Sequence, residues 1–166
     1  MIESRALFTN GSLTVVGNME QDGDASPTEQ DFENAEQEYE VLSRFSRGEW
    51  HYVGMIVSVR WNDREIGTND LWGIEHGTVV TGVVADAWQL TPATHPDDNV
   101  VMMASPLSGV ISEALADADR WVESLLVEPA GGGVHAALAA AHQWAEPLTV
   151  ASNDSGVVRA LPASQG

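Results

Sequence analysis

Residues 50–61 read WHYVGMIVSVRW, and no other stretch restricts the fold as much. Val53, Met55, Val57, Val59 and Trp61 point one way along an extended chain, and Trp50, Tyr52, Gly54, Ile56, Ser58 and Arg60 the other. A period of two, in β-branched and aromatic residues, predicts a strand with at least one buried face. That face needs a cover. Residues 106–126 offer one, because Leu107, Val110, Ile111, Ala114, Leu115, Ala118, Trp121, Val122 and Leu125 form an unbroken stripe at helical spacing. The expected core is therefore Val53, Val57, Trp61, Ile111, Leu115, Trp121, Val122 and Leu125, between sheet and helix.

The remaining elements follow from local signals. Two short apolar runs around Asn10-Gly11 predict a hairpin over residues 5–17. Ser26, Pro27 and Glu29 read as a capped helix start, Phe32, Ala35, Tyr39, Leu42 and Phe45 continue at helical spacing, and Gly48 stops the helix. This predicts a helix over 27–46. After the strand, 62–70 reads as a turn or hairpin loop, with further strands at 71–75, 78–88 and 100–104. Ser105 before Pro106 reads as the cap of helix 106–126. The Gly131–Gly133 run reads as a linker, followed by a short alanine-rich helix at 134–145 and a tail with strand character. Consecutive strands joined by short loops predict an α+β fold: an antiparallel meander with helices packed on one face. Residues 1–128 form the expected domain, and 129–166 a linker, helix and tail.

Composition narrows the functional classes. The chain carries 25 acids against 7 bases, a net charge of −18, and every base is arginine. Such a surface repels nucleic acid and anionic lipid and suits cationic partners or plain solubility. A high-salt cytoplasm or a GC-rich genome accounts for the same bias. With no cysteine there is no disulfide framework, thiolate metal site or thiol nucleophile. The first residues lack the basic start and apolar run of a signal peptide, and no segment approaches the ~20 apolar residues of a membrane span. The expected location is the cytoplasm of a host cell.

The pattern W-x-Y-x-G at 50–54, followed by LWGIE at 71–75 and the helix ISEALADADRW at 111–121, resembles a family of small acidic proteins encoded by bacteriophages and mobile elements of GC-rich bacteria. The resemblance covers about residues 29–126. It implies a genomic setting and a domain shape, and no catalytic residues. The chain departs from that pattern at 76–105, where segments of strand character replace a short acidic loop.

Candidate chemistry is sparse. Glu75 and His76 are adjacent, so on a strand they face opposite ways, which opposes an acid–base dyad. Gly54 and Gly73 sit within strand sequence, where an aromatic side chain such as Trp50, Tyr52 or Trp72 lying across the gap is the plain structural explanation. His135 and His142 stand about 10 Å apart along a helix, too far to share a zinc ion, and no metal is expected. No nucleophile elbow or phosphate loop is present. No cofactor is implied, and a non-enzymatic role is expected.

One constellation remains. On a helix over 27–46, Glu29, Glu33, Glu36 and Glu40 follow i, i+4, i+7 and i+11, a ladder of four carboxylates over about 16 Å. Two readings are open: a solvated helix face, and an imitation of a nucleic-acid edge, whose phosphates repeat every ~3.4 Å per strand. The functional expectation is a protein-binding protein of phage or mobile-element type, an acidic mimic that inhibits a basic host defence or regulatory protein and binds neither nucleic acid nor membrane. The alternative is a virion or assembly component.

Overall fold

In the computed structural model the described residues are 1–29, 31–90, 105–125 and 132–154. Their order is β1 (Glu3–Asn10), β2 (Leu13–Gln21), a 3-10 turn (Pro27–Glu29), α1 (Ala35–Ser46), β3 (Trp50–Trp61), β4 (Arg64–Val80), β5 (Val83–Ala85), α2 (Pro106–Glu123) and α3 (Val134–Asp154). The strands form a five-stranded sheet in sequence order, with every pair antiparallel. The protein is α+β.

Tight turns set the meander. β3 and β4 are joined by Asn62-Asp63, both at positive φ (47° and 63°), the two-residue geometry that matches strand twist. Residues 64–70, expected as loop, are instead the first part of a long β4, since the turn needs only those two residues. The 71–75 and 78–80 segments belong to the same strand, and β5 is short. The strand expected at 100–104 lies outside the described residues.

β3 alternates as its sequence requires. Val53, Met55, Val57, Val59 and Trp61 join one buried cluster with Leu107, Ile111, Ala114, Leu115 and Ala118 of α2. The fit is close at Gly67 on β4, where an added Cβ would stand 2.5 Å from the Ala114 carbonyl oxygen and the Ala118 nitrogen of α2. Of the expected core residues, Val53, Val57, Trp61, Ile111, Leu115 and Val122 are buried there and Trp121 packs against them half-buried, while Leu125 is half-buried outside that cluster. Arg64 lies over the Trp121 ring, 5.2 Å from its centroid, which leaves that indole at the edge of the core.

Helix α3, expected as part of a linker, helix and tail, is not simply an appendage. Val134, Ala137, Leu138, Ala141 and Ala145 of α3 are buried in the same cluster as the sheet and α2, and Phe8 of β1 stacks on Trp144 at 5.2 Å. The helix runs to Asp154 through Pro147, and Leu148, read as strand, packs against the core as part of α3.

The helices also do not all share a face. Trp50 and Tyr52, on the opposite side of β3, form a second buried cluster with Val41 of α1, and Phe32 and Phe45 pack against it. The Trp50 indole N–H donates to the Val41 carbonyl at 3.1 Å. Thus α2 and α3 cover one face, and α1 covers one end of the other.

Candidate protein-binding surface

The structure starts α1 later than its sequence suggests, and this breaks the carboxylate ladder. Asn34 caps the helix, its side chain accepting the Gln37 N–H at 2.9 Å, while Gln37 Oε1 accepts the Glu33 N–H at 2.8 Å. Ser26 reaches no further than Thr28, whose hydroxyl it meets at 2.8 Å and whose N–H it accepts at 3.3 Å, and Pro27–Glu29 is a single 3-10 turn. Two capping sets stood eight residues apart, and Asn34 wins because its side chain caps Gln37 while the Gln37 side chain in turn takes the N–H of Glu33, next to the cap. Glu29 therefore closes a turn, Glu33 precedes the cap, and only Glu36 and Glu40 share the helix.

Glu40 is not available as a contact either. Its Oε1 accepts the Thr81 N–H and hydroxyl, each at 2.7 Å, and the Arg44 Nε–H at 3.1 Å. These bonds, the Thr81 pair first, hold its carboxyl below the ordinary value. Arg44 also reaches Glu49 and the Thr81 hydroxyl. The group ties α1 to the β4–β5 turn, which the sequence could not show, because Glu40 and Thr81 are far apart along the chain.

What α1 does expose is a different set. Asp31, Glu33, Glu36 and Glu38 are all exposed, and among the described residues none pairs with an arginine. Glu36 and Glu38 lie in the first turn, where the helix dipole favours negative charge.

LWGIEHG, residues 71–77, forms an irregular part of β4. The register with β3 slips between Ile74, opposite Val53, and Leu71, opposite Met55, so Trp72 and Gly73 together face Gly54. Gly73 takes φ +75°, which a side chain adopts at a cost, and its N–H donates to Asp22 Oδ2 at 3.0 Å. Trp72 is thereby laid across Gly54, in the space a Cβ would fill. Its indole N–H donates to Asp70, and 44% of the residue is still exposed. Glu75 and His76 occupy opposite faces, pairing with Tyr52 and His51.

The histidines form two unexpected pairs. His51 and His76 meet edge-to-face at 6.0 Å, and the Ala87 N–H donates to His76 Nδ1 at 3.2 Å. Burial, then the neighbouring His76, holds His51 below the ordinary histidine value. His142 on α3 meets Asp119 of α2 at 2.7 Å, beside a cavity of about 260 Å³ that Ser112 and Glu146 also line. Such a set suggests a serine, histidine and aspartate in line, but among the described residues no hydrogen bond joins Ser112 to His142. The pair bridges helices that their sequence spacing leaves unrelated. Among the described residues no three acidic or histidine groups are close enough to hold a metal, and no helix is long and apolar enough to cross a membrane.

No family model, curated protein or solved structure matches this chain.

Proposed function

We propose that this protein, of phage or mobile-element type, acts by binding a basic protein, and that the carboxylates leading into α1 are a principal contact. The supporting observation is Asp31, Glu33, Glu36 and Glu38, four exposed acids in eight residues without an arginine partner among the described residues. Unpaired surface carboxylates steer a cationic partner and set salt sensitivity more than they hold the fold together. The stricter form, imitation of a nucleic-acid edge by Glu29, Glu33, Glu36 and Glu40, loses its regular spacing with the shorter helix. A host defence or regulatory protein remains the proposed target, and an assembly role in the virion the second reading.

The test compares two variants of equal net charge. Asp31→Asn with Glu33→Gln, Glu36→Gln and Glu38→Gln changes the charge from −18 to −14, and so does neutralising Glu113, Glu123, Glu128 and Asp154. Affinity capture from host extract, followed by titration of the protein recovered, should show binding lost in the first variant, retained in the second, and weakened by salt. Equal binding by both variants would overturn the proposal.

A further inference from the structure

The face of the sheet that α1 covers extends well beyond α1. Past Trp50 and Tyr52, β3 presents Gly54, Ile56, Ser58 and Arg60 on this side, and its neighbours in register are Glu20, Asn18, Val16 and Thr14 of β2. The described helices α2 and α3 pack on the opposite face. Ile56 and Val16 are only half-buried, and Trp72, laid across Gly54, is still 44% exposed.

A glycine under a tryptophan is an indirect way to fill a sheet. A β-branched residue at 54 would cover its own backbone and leave no large aromatic surface in water. Here the indole is fixed instead from three sides. Gly54 leaves the space beneath it, Asp70 accepts its N–H, and Asp22 holds the bulge through Gly73. Asp22 is itself set by the N–H groups of Asp24 and Ala25, at 3.1 and 3.2 Å. A rigid aromatic plate with one face outward loses little freedom on contact, which is the property of an interface anchor.

Its surroundings select the occupant. Asp70 lies at the indole edge and Glu20 pairs with Gly54 from the other side, so the plate is flanked by carboxylates. Among the described residues the strand arginine on this face is Arg60, six residues along β3 and about 20 Å away, and Arg44 and Arg47 of α1 and its cap are paired with Glu40 and Glu49. A cation is attracted by the π face of an indole, and a guanidinium also reaches carboxylates at its rim. We propose that the Trp72 face is a docking site for an arginine-bearing segment of a partner protein, with the guanidinium against the indole and within reach of Asp70 and Glu20. The site is separate from the acids leading into α1 and stands or falls independently of them.

The experiment follows the tryptophan indole N–H resonances of the full chain by NMR. The probes are an acetylated hexapeptide holding two arginines among alanine and leucine, and the same peptide with citrulline replacing arginine. Trp72 should shift saturably with the first probe, and about tenfold or more weaker binding is expected with the second. Trp72→Ala and Asp70→Asn should each weaken the arginine peptide by about fivefold or more, and Trp72→Phe by less than Trp72→Ala. The variant with Asp31, Glu33, Glu36 and Glu38 neutralised should still shift Trp72, so the two proposals fail separately. Equal binding of both peptides, equal shifts at all tryptophans, or undiminished binding by both Trp72→Ala and Asp70→Asn would overturn the assignment. If Trp72→Ala is unfolded by circular dichroism, Asp70→Asn and Trp72→Phe decide the question alone.

Discussion

The two faces of β3 are made from one alternating sequence and meet different fates. On one side Val53, Met55, Val57 and Val59 are fully enclosed beneath α2 and α3. On the other the large enclosed side chains are Trp50 and Tyr52, covered by α1 and its flanking residues, and the face then opens onto Ile56 and Trp72. Apolar area removed from water drives folding, so the first face holds the domain together. The second has large apolar groups left over, and these are surfaces that binding can use. Within one strand, the enclosed side thus carries stability, and the open side is the one proposed to meet a partner.

The largest effects should come from emptying enclosed positions on either face. Trp50 and Leu115 are both fully buried. Trp50→Ala should cost about 3–5 kcal/mol and Leu115→Ala about 2–5 kcal/mol in chemical denaturation. A loss below about half a kcal/mol at Leu115, as for an ordinary surface residue, would break the sheet-on-helix assignment.

Gly67 probes the same face by overfilling. An added methyl group would meet the α2 backbone at Ala114 and Ala118, and no rotamer change can relieve it. Gly67→Ala should cost about 1–3 kcal/mol, visible as a lower denaturation midpoint with an unchanged slope. A neutral result would mean that α2 stands further from β4 than described.

Acid should act at the end of the enclosed face, through His51. Its folded-state pKa lies below the ordinary 6.5, so the unfolded chain binds the proton more readily. Stability from this group is fully present above that ordinary value and declines as pH falls below it. Glu3, Glu40 and Glu49 also sit below their ordinary 4.5, so their contribution is lost only at lower pH. The thermal midpoint of the wild type should therefore fall between pH 7.5 and 5.5, and His51→Gln should flatten that slope. An unchanged slope in the variant would remove His51 from the account.

The smallest stability effect belongs to the open face. Trp72→Ala removes a side chain that is 44% exposed and should cost about 1 kcal/mol or less by chemical denaturation. A cost matching that of Trp50→Ala would erase the contrast between the faces and make Trp72 a core residue.

Periodicity accounts for what could be read in advance. The strand at 50–61, the stripe along α2, and an aromatic across Gly54 all follow from spacing and side-chain type, because period and volume are local properties. The ladder of Glu29, Glu33, Glu36 and Glu40 did not survive, since Ser26 and Asn34 compete as caps and their difference rests on where Gln37 and Phe32 settle. Sequence also placed α3 apart from the domain. Its alanines look indifferent alone and become core only when Val134, Leu138 and Ala141 face α2 and the sheet.

By itself, then, the sequence determined an antiparallel α+β domain, its central strand, its best helix and its strongly acidic surface, because these depend on neighbours along the chain. Tertiary structure alone decided which acids face water and which hold the fold: Glu40 is tied to Thr81, while Glu36 is exposed one turn away. It alone laid Trp72 across Gly54 with one side of the indole outward, and joined His51 to His76 and His142 to Asp119. Those contacts unite residues far apart in the chain. Their partners depend on register, bulges and helix packing, none of which any short window of sequence contains.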